Sequence, residues 1–268
     1  MMPYTKVKAT RGFRQMYMKL FREFYGVTPN GIVHVGAHQA EEFHEYEINN
    51  MMGKGYCFWI EALPSKYEEL RDFFRDKPKH RVIHALAWGT SGVSIKFKIT
   101  NRTASSSVFD LGEHTNFYKD IHVMETLEIP SKRLDEVISK TDIFDFLVLD
   151  VQGAELEVIK GMGDLLAKVK WVFLEVSKKE LYQGGVLEGE IDSYLRDRGF
   201  RRRFVEWDRN AGWGDALYIK EEFWQNSLNL TIHRGLRWMY RRFYGRIPQP
   251  LFPYLVRWKR VVKTWICK

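Results

Sequence analysis

Phe146-Leu147-Val148-Leu149-Asp150-Val151-Gln152-Gly153-Ala154-Glu155-Leu156 is an apolar run that stops on an acid, crosses a glycine and enters a helical pattern. A short apolar run bounded by turn residues reads as a strand buried on both faces. Gly153 permits a sharp exit, and 154–169 then carries a helix. The same strand–turn–helix unit recurs on either side. Upstream, Pro29-Asn30-Gly31 leads into the strand Ile32-Val33-His34-Val35, and 41–52 reads as a helix. Tyr56-Cys57-Phe58-Trp59-Ile60 is a second strand ending at Glu61, followed by a helix over 64–75 that proline opens. Residues 81–88 read as a third strand, 93–100 as a half-exposed one, and 101–122 as a Ser/Thr-rich loop. Downstream, 171–176 reads as a strand and 187–198 as a helix ended by Gly199. Residues 201–208 and 215–220 then pair as a hairpin around Asn210-Ala211-Gly212.

Alternation of strand and helix predicts a parallel, doubly wound α/β sheet with helices on both faces. Nicotinamide-binding sheets of this kind are wholly parallel as a rule, whereas a reversed terminal strand marks the methyltransferase variant. Ligands of such sheets bind beyond the carboxyl ends of the strands. The residues to watch are therefore 36–42, Glu61, Ala87, Asp150 and Glu175.

Composition bounds the function. The chain has 268 residues, 45% hydrophobic and 28% charged, which is ordinary globular composition. No stretch of about 18 apolar residues occurs, so no transmembrane helix is expected, nor is a secretory signal. Two cysteines, Cys57 and Cys267, make neither a disulfide framework nor a four-ligand zinc site, and a cytoplasmic location is expected. The net charge of +8 sits at the ends: 221–268 carries ten Lys/Arg against two Asp/Glu, and 1–29 carries six against one. The acidic body argues against a nucleic-acid binder. Three segments follow: a basic N-terminal helical extension (1–29), a catalytic body (30–220) and a basic aromatic extension (221–268).

Gly36 after the first strand lets a backbone approach a ligand closely. Neither a full dinucleotide fingerprint nor a P-loop is present, so a plain strand-to-helix turn stays open. Glu61 closes the second strand, near the spacing at which an acid meets ribose hydroxyls; a salt-bridge partner is the other reading. Asp150 can serve as a general base or orient a substrate hydroxyl, or only cap the next helix. Glu155 suits the helix N-terminus, where the dipole favours an acid.

Together, Val33-His34-Val35-Gly36-Ala37-His38, Trp59-Ile60-Glu61-Ala62-Leu63-Pro64, Ala85-Leu86-Ala87, Leu134-Asp135, Leu149-Asp150-Val151-Gln152-Gly153-Ala154-Glu155-Leu156 with Gly161, and Leu174-Glu175-Val176 resemble the FkbM family of S-adenosylmethionine-dependent methyltransferases, in its Val-Gly-Ala-His form. The resemblance covers about 30–220. It implies a class I methyltransferase fold, with a mostly parallel seven-stranded sheet and an antiparallel C-terminal hairpin. It also implies O-methylation of sugars, glycans or polyketide-type products. Cofactor contacts are implied at His34, Gly36, Ala37, His38, Glu42, Glu61, Ala62, Ala87, Asp150 and Glu175, with 36–38 near the methionine moiety and Glu61 on the ribose. Where the family commonly has Asp, Asn, Gly and Glu, this chain has His34, His38, Ala40 and Gln152; Glu42 or Glu175 then stands to replace the missing acid.

The acceptor is narrowed by what the chain lacks. No Pro-Pro pair is present for the adenine-N6 signature, and neither cysteine follows a proline as cytosine-C5 chemistry expects. A hydroxyl acceptor remains, and its proton needs a base: Asp150, His38, His114 and His122 are the candidates, with Asp150 and His114 put forward as catalytic. The loop 103–108 lies on the expected site side, and Tyr182-Gln183-Gly184-Gly185 is a lid or only a turn. In the tail, Trp224, Trp238, Trp258 and Trp265 interleave with arginines and lysines. Three uses stay open for it: packing, contact with an anionic membrane together with residues 11–25, and nucleic acid. A non-catalytic or NAD-type module that uses its basic ends to bind a partner is the competing function.

Overall fold

β1 (Ile32–Val35), β2 (Cys57–Glu61) and β8 (Phe146–Leu149) are buried at every residue, as apolar runs inside a parallel sheet must be. The computed structural model describes residues 17–208 and 212–224. With β3 (His80–His84), β9 (Trp171–Ser177), β11 (Phe200–Trp207) and β12 (Trp213–Lys220), these strands form a seven-stranded sheet in the order β11-β12-β9-β8-β1-β2-β3. The five strands from β9 to β3 are parallel. β12 runs antiparallel to both β9 and β11, so the expected hairpin is present; residues 209–211 of its turn lie outside the described residues.

Side chains alternate across the sheet. Val33, Val35, Phe58, Ile60, Leu147 and Leu149 face one layer, packed with Val158, Ile159, Ile191 and Leu195 of α6 (Glu155–Gly161) and α7 (Glu188–Arg196). Trp59 faces the other layer. Tyr46 of α2 (Phe43–Ile48) and Phe74 of α3 (Pro64–Phe74) stack on it, with ring centroids 5.5 and 5.3 Å away.

Further along the same face lies α1 (Tyr17–Tyr25), whose Tyr17, Met18, Phe21 and Tyr25 are buried. Phe21 meets Phe173 and Phe204 edge-on at 5.1 and 5.4 Å. This corrects part of the membrane expectation: the rings of Tyr17, Phe21 and Tyr25 are core, and the exposed side of α1 carries Lys19, Arg22 and Glu23. The remaining residues of that expectation, 11–16 and 225–268, lie outside the described residues. Among the described residues no helix is long and apolar enough to cross a membrane.

Three further expectations are corrected. The strand over 81–88 is divided: the Ala85 N–H to Glu61 O bond, 3.0 Å, completes the last β2–β3 pair, and the chain leaves the sheet after it. Leu86–Ala87 (β4) pairs instead with β7 (Val123–Lys132), beside β5 (Ser94–Thr100). The helix over 154–169 ends at Gly161 and tightens to a 3-10 turn over Gly163–Lys168. Gly163, at φ +49, causes the break, and a Cβ there would stand 2.0 Å from Asp135 Oδ2. α5 (Leu134–Val137) packs beside that turn. Finally, the loop over 101–122 contains structure: β6 (Asp110–Leu111) pairs with β10 (Tyr182–Gln183), and α4 (His114–Phe117) follows.

Candidate active site

Parallel strands deliver their carboxyl ends to one edge. Val35 is in register with Ile60 and Leu149, and Leu149 with Leu174. Gly36, Glu61, Asp150 and Glu175 therefore follow one another along that edge. Gly36 is required there: its φ is +82, and a Cβ would stand 1.9 Å from the Asp150 carbonyl oxygen. Its N–H and that of Ala37 both donate to Ile60 O, at 3.0 and 3.1 Å.

Glu61 is 6% exposed. Its Oε2 accepts the His38 N–H and its Oε1 the Leu63 N–H, each at 2.8 Å. Burial raises its pKa, and the backbone donors only partly offset that. Each carboxylate oxygen has two acceptor positions, so these backbone donors leave acceptor capacity for a ligand hydroxyl.

The His38 side chain bridges two loops: Nδ1 bonds Glu41 Oε1 at 2.7 Å and Nε2 bonds Thr103 Oγ1 at 2.9 Å. Burial alone lowers the imidazole pKa, but the hydrogen bond and charge of Glu41 outweigh it and the value is raised. The 103–108 loop thus does reach the strand-end turn.

At the end of β8, Gln152 Nε2 donates to Asp150 Oδ1 at 2.6 Å, while Gln152 Oε1 accepts the Tyr182 hydroxyl at 2.6 Å. Burial, then the charges of Glu175 and Asp150, push the Tyr182 pKa upward, so its phenol stays protonated. A narrow cleft lies beside it, lined by Gly153, Glu155, Glu175, Lys179, Tyr182 and Gly185. Glu155 is buried at the first turn of α6, as a helix start favours.

Of the other expected site residues, Glu175 and His114 lie beside the cleft and the rest farther from it. His34 is 2% exposed, its Nδ1 2.9 Å from the Tyr46 hydroxyl and its ring 4.9 Å from Trp59, so it faces the α2 layer rather than the strand-end cleft. Glu42 leads into α2, where its carbonyl accepts the Tyr46 N–H at 3.0 Å. The Ala62 carbonyl is 3.1 Å from His84 Nε2, and Ala87 is buried in β4. Glu175 faces Asp215 across the β9–β12 ladder. His114 is buried, its ring 5.2 Å from Tyr182 and 5.0 Å from Tyr118, and its Nε2 has no hydrogen-bond partner. Burial first, then Arg102, lowers its pKa. His122 is exposed beside Asp120 O. The sequence reading missed that Gln152 joins Asp150 to Tyr182: Gln152 and Tyr182 are 30 positions apart, and no local pattern signals their bond.

Strand order, the reversed β12 and a polar site at the carboxyl edge define a class I methyltransferase. The family model of the Methyltransferase FkbM domain matches residues 34–202, and the chain belongs to that family. It is 32% identical over 82 residues to the 2-O-methyltransferase NoeI of Sinorhizobium fredii (strain NBRC 101917 / NGR234), a stretch covering 30% of this chain and about a third (34%) of that protein. Among solved structures, the methyltransferase FkbM from Methylobacillus flagellatus KT superposes with a TM-score of 0.46 at 14% identity, over 71% of this chain and 43% of that one. M. capricolum TrmK in complex with S-adenosyl-homocysteine gives 0.41 at 11% identity, over 94% of each chain.

Proposed function

We propose that this protein transfers the methyl group of S-adenosylmethionine to a hydroxyl oxygen of a sugar, glycan or related natural product. The observation that carries the reading is the Gly36 turn, Glu61 and Asp150 meeting at one sheet edge. Family membership supports methyl transfer, and the likeness to a 2-O-methyltransferase supports an oxygen acceptor. Family membership and the reversed β12 together disfavour the nicotinamide-type module.

When bound, S-adenosylmethionine supplies an electrophilic methyl group. The residues present fit that cofactor: a close-approach glycine turn, and an acid with acceptor positions left for ribose hydroxyls. Glu61 accepts from the ribose hydroxyls, and the 36–38 turn borders the methionine portion. Asp150 accepts or orients the proton of the acceptor hydroxyl, a service worth about 10²–10⁴-fold in rate. Positioning the acceptor in line contributes roughly 7–11 kcal/mol. In this reading His114 supports Tyr182 rather than serving as the base. The acceptor enters over the 103–108 and 182–186 segments. An anionic membrane, met through the basic tail, presents it at the inner face of the cell membrane.

Calorimetry on the full chain tests this, titrating S-adenosylhomocysteine against NAD. It is paired with transfer of labelled methyl groups to panels of glycosides, peptides and RNA. S-adenosylhomocysteine binding and label on glycoside oxygen are expected; NAD binding alone, or label on RNA or peptide only, overturns the reading.

A further inference from the structure

We propose that Gln152 is a positioning residue that ties Tyr182 to Asp150, holding the Asp150 side chain ionised and in one orientation. This rests on the reading that Asp150 serves the chemical step. The two ends of the Gln152 amide are told apart by their neighbours. The NH₂ end faces Asp150 Oδ1 at 2.6 Å, and a donor aimed at a carboxyl oxygen favours its ionised form. The Tyr182 hydroxyl has one proton to donate, and Gln152 Oε1 at 2.6 Å is far nearer than its other acceptor, Ser105 O at 3.3 Å, so the carbonyl end faces the phenol. Flipping the amide would set its oxygen against a carboxylate.

The surrounding backbone keeps this amide in place. Gln152 stands at φ +52, a left-handed conformation uncommon for a residue with a side chain. Its carbonyl accepts the hydroxyl of Ser107, itself buried, at 2.8 Å. One residue on, Gly153 O accepts the Val186 N–H at 3.1 Å, and Tyr182 is paired with Leu111 of β6. The 182–186 segment is therefore fastened by its backbone on two sides and by its phenol to Gln152. Asn at 152 lacks the methylene needed to reach both partners.

The test is the titration of Asp150 in the full chain, read from side-chain carboxyl ¹³C shifts in aspartate-labelled protein. The Asp150 resonance is assigned by its loss in Asp150→Asn. The Asp150 charge acts on Glu155 and Tyr182, Glu175 follows Leu174 on the neighbouring strand, and every variant leaves all three in place. Gln152→Leu removes a hydrogen bond to a charged group, so the Asp150 midpoint should rise by about one pH unit or more. Gln152→Glu keeps the shape and the Tyr182 bond. It sets two carboxyls side by side, so they should titrate in two separated steps sharing one proton. Gln152→Asn should behave like Gln152→Leu. An unmoved Asp150 midpoint in folded Gln152→Leu, or an unmoved single-step Asp150 titration in Gln152→Glu, overturns the inference. Full turnover in Asp150→Asn would instead overturn the role given to Asp150 in the chemistry, leaving the titration result standing.

Discussion

The Glu61 carboxylate accepts the backbone N–H of His38 at 2.8 Å, so the acidic end of β2 holds the turn that ends β1. One side chain thus shapes the glycine turn and stands ready for a ligand. Under the proposed function a cofactor would meet an acid that is already buried and oriented by two backbone donors.

Replacing that acid by its amide should be costly. Glu61→Gln retains one acceptor oxygen but turns an NH₂ group toward the His38 or Leu63 N–H. Loss of a charge-assisted bond of this kind is worth on the order of 1–2 kcal/mol. S-adenosylhomocysteine affinity, measured by calorimetry, should fall about tenfold; an unchanged affinity would remove Glu61 from the cofactor site.

Asp150→Asn should lower turnover about 10²-fold or more at saturating cofactor. Cofactor affinity should change far less than turnover. The opposite split, weak cofactor binding with turnover intact at saturation, would make Asp150 a binding residue and return the search for a base to His38.

Glu155 gives a pH signature. Burial pushes its pKa up from 4.5 to about 7; its own N–H and that of Gly153 oppose the shift, and the charge of Asp150 adds to it. The folded state therefore keeps a proton that the unfolded chain has lost between about 4.5 and about 7. For an acid with a raised pKa, that contribution is fully present below the unfolded value. It declines as pH rises through the window, by about 3 kcal/mol at ~1.4 kcal/mol per unit. Glu155→Gln cannot titrate, so its stability relative to the parent should grow between pH 5 and pH 8 in urea unfolding. A difference that is flat with pH counts against a buried, titrating Glu155.

The basic tail should act through charge. Residues 221–268 carry ten Lys/Arg against two Asp/Glu. Attraction to an anionic leaflet fades beyond about 8 Å at physiological salt. Full-length protein should float with anionic vesicles at low salt, but not with neutral ones. A chain ending at Lys220 should stay behind while remaining folded. Indifference of the full chain to anionic vesicles ends the membrane proposal.

Much of the sheet was legible because strands buried on both faces must be apolar throughout. Ile32–Val35, Phe146–Leu149 and Trp171–Val176 admit no other reading, and each ends at a residue of the site edge. β7 escaped because it is exposed along most of its length and contains Pro130, so no hydrophobic period marks it. The break after His84 escaped because Leu86–Ala87 take a distant partner, Ser131–Lys132 of β7, and the break at Gly163 because one glycine inside an apolar run does not announce its positive φ.

By itself, the order of residues determined the doubly wound class, the family and the acids Glu61 and Asp150 at strand ends. The class and the two acids follow from periodicity and local turn chemistry, which act over a few neighbouring residues, and the family from the resemblance of the motifs. Only the tertiary structure decided that His34 is a core residue bonded to Tyr46 and that Tyr17, Phe21 and Tyr25 of α1 are buried. It also decided that His38 meets Thr103 across 65 positions and that Gln152 joins Asp150 to Tyr182. Hydrogen bonds and ring contacts between distant segments depend on how the layers pack, and packing sums interactions over the whole chain that no short window of sequence contains.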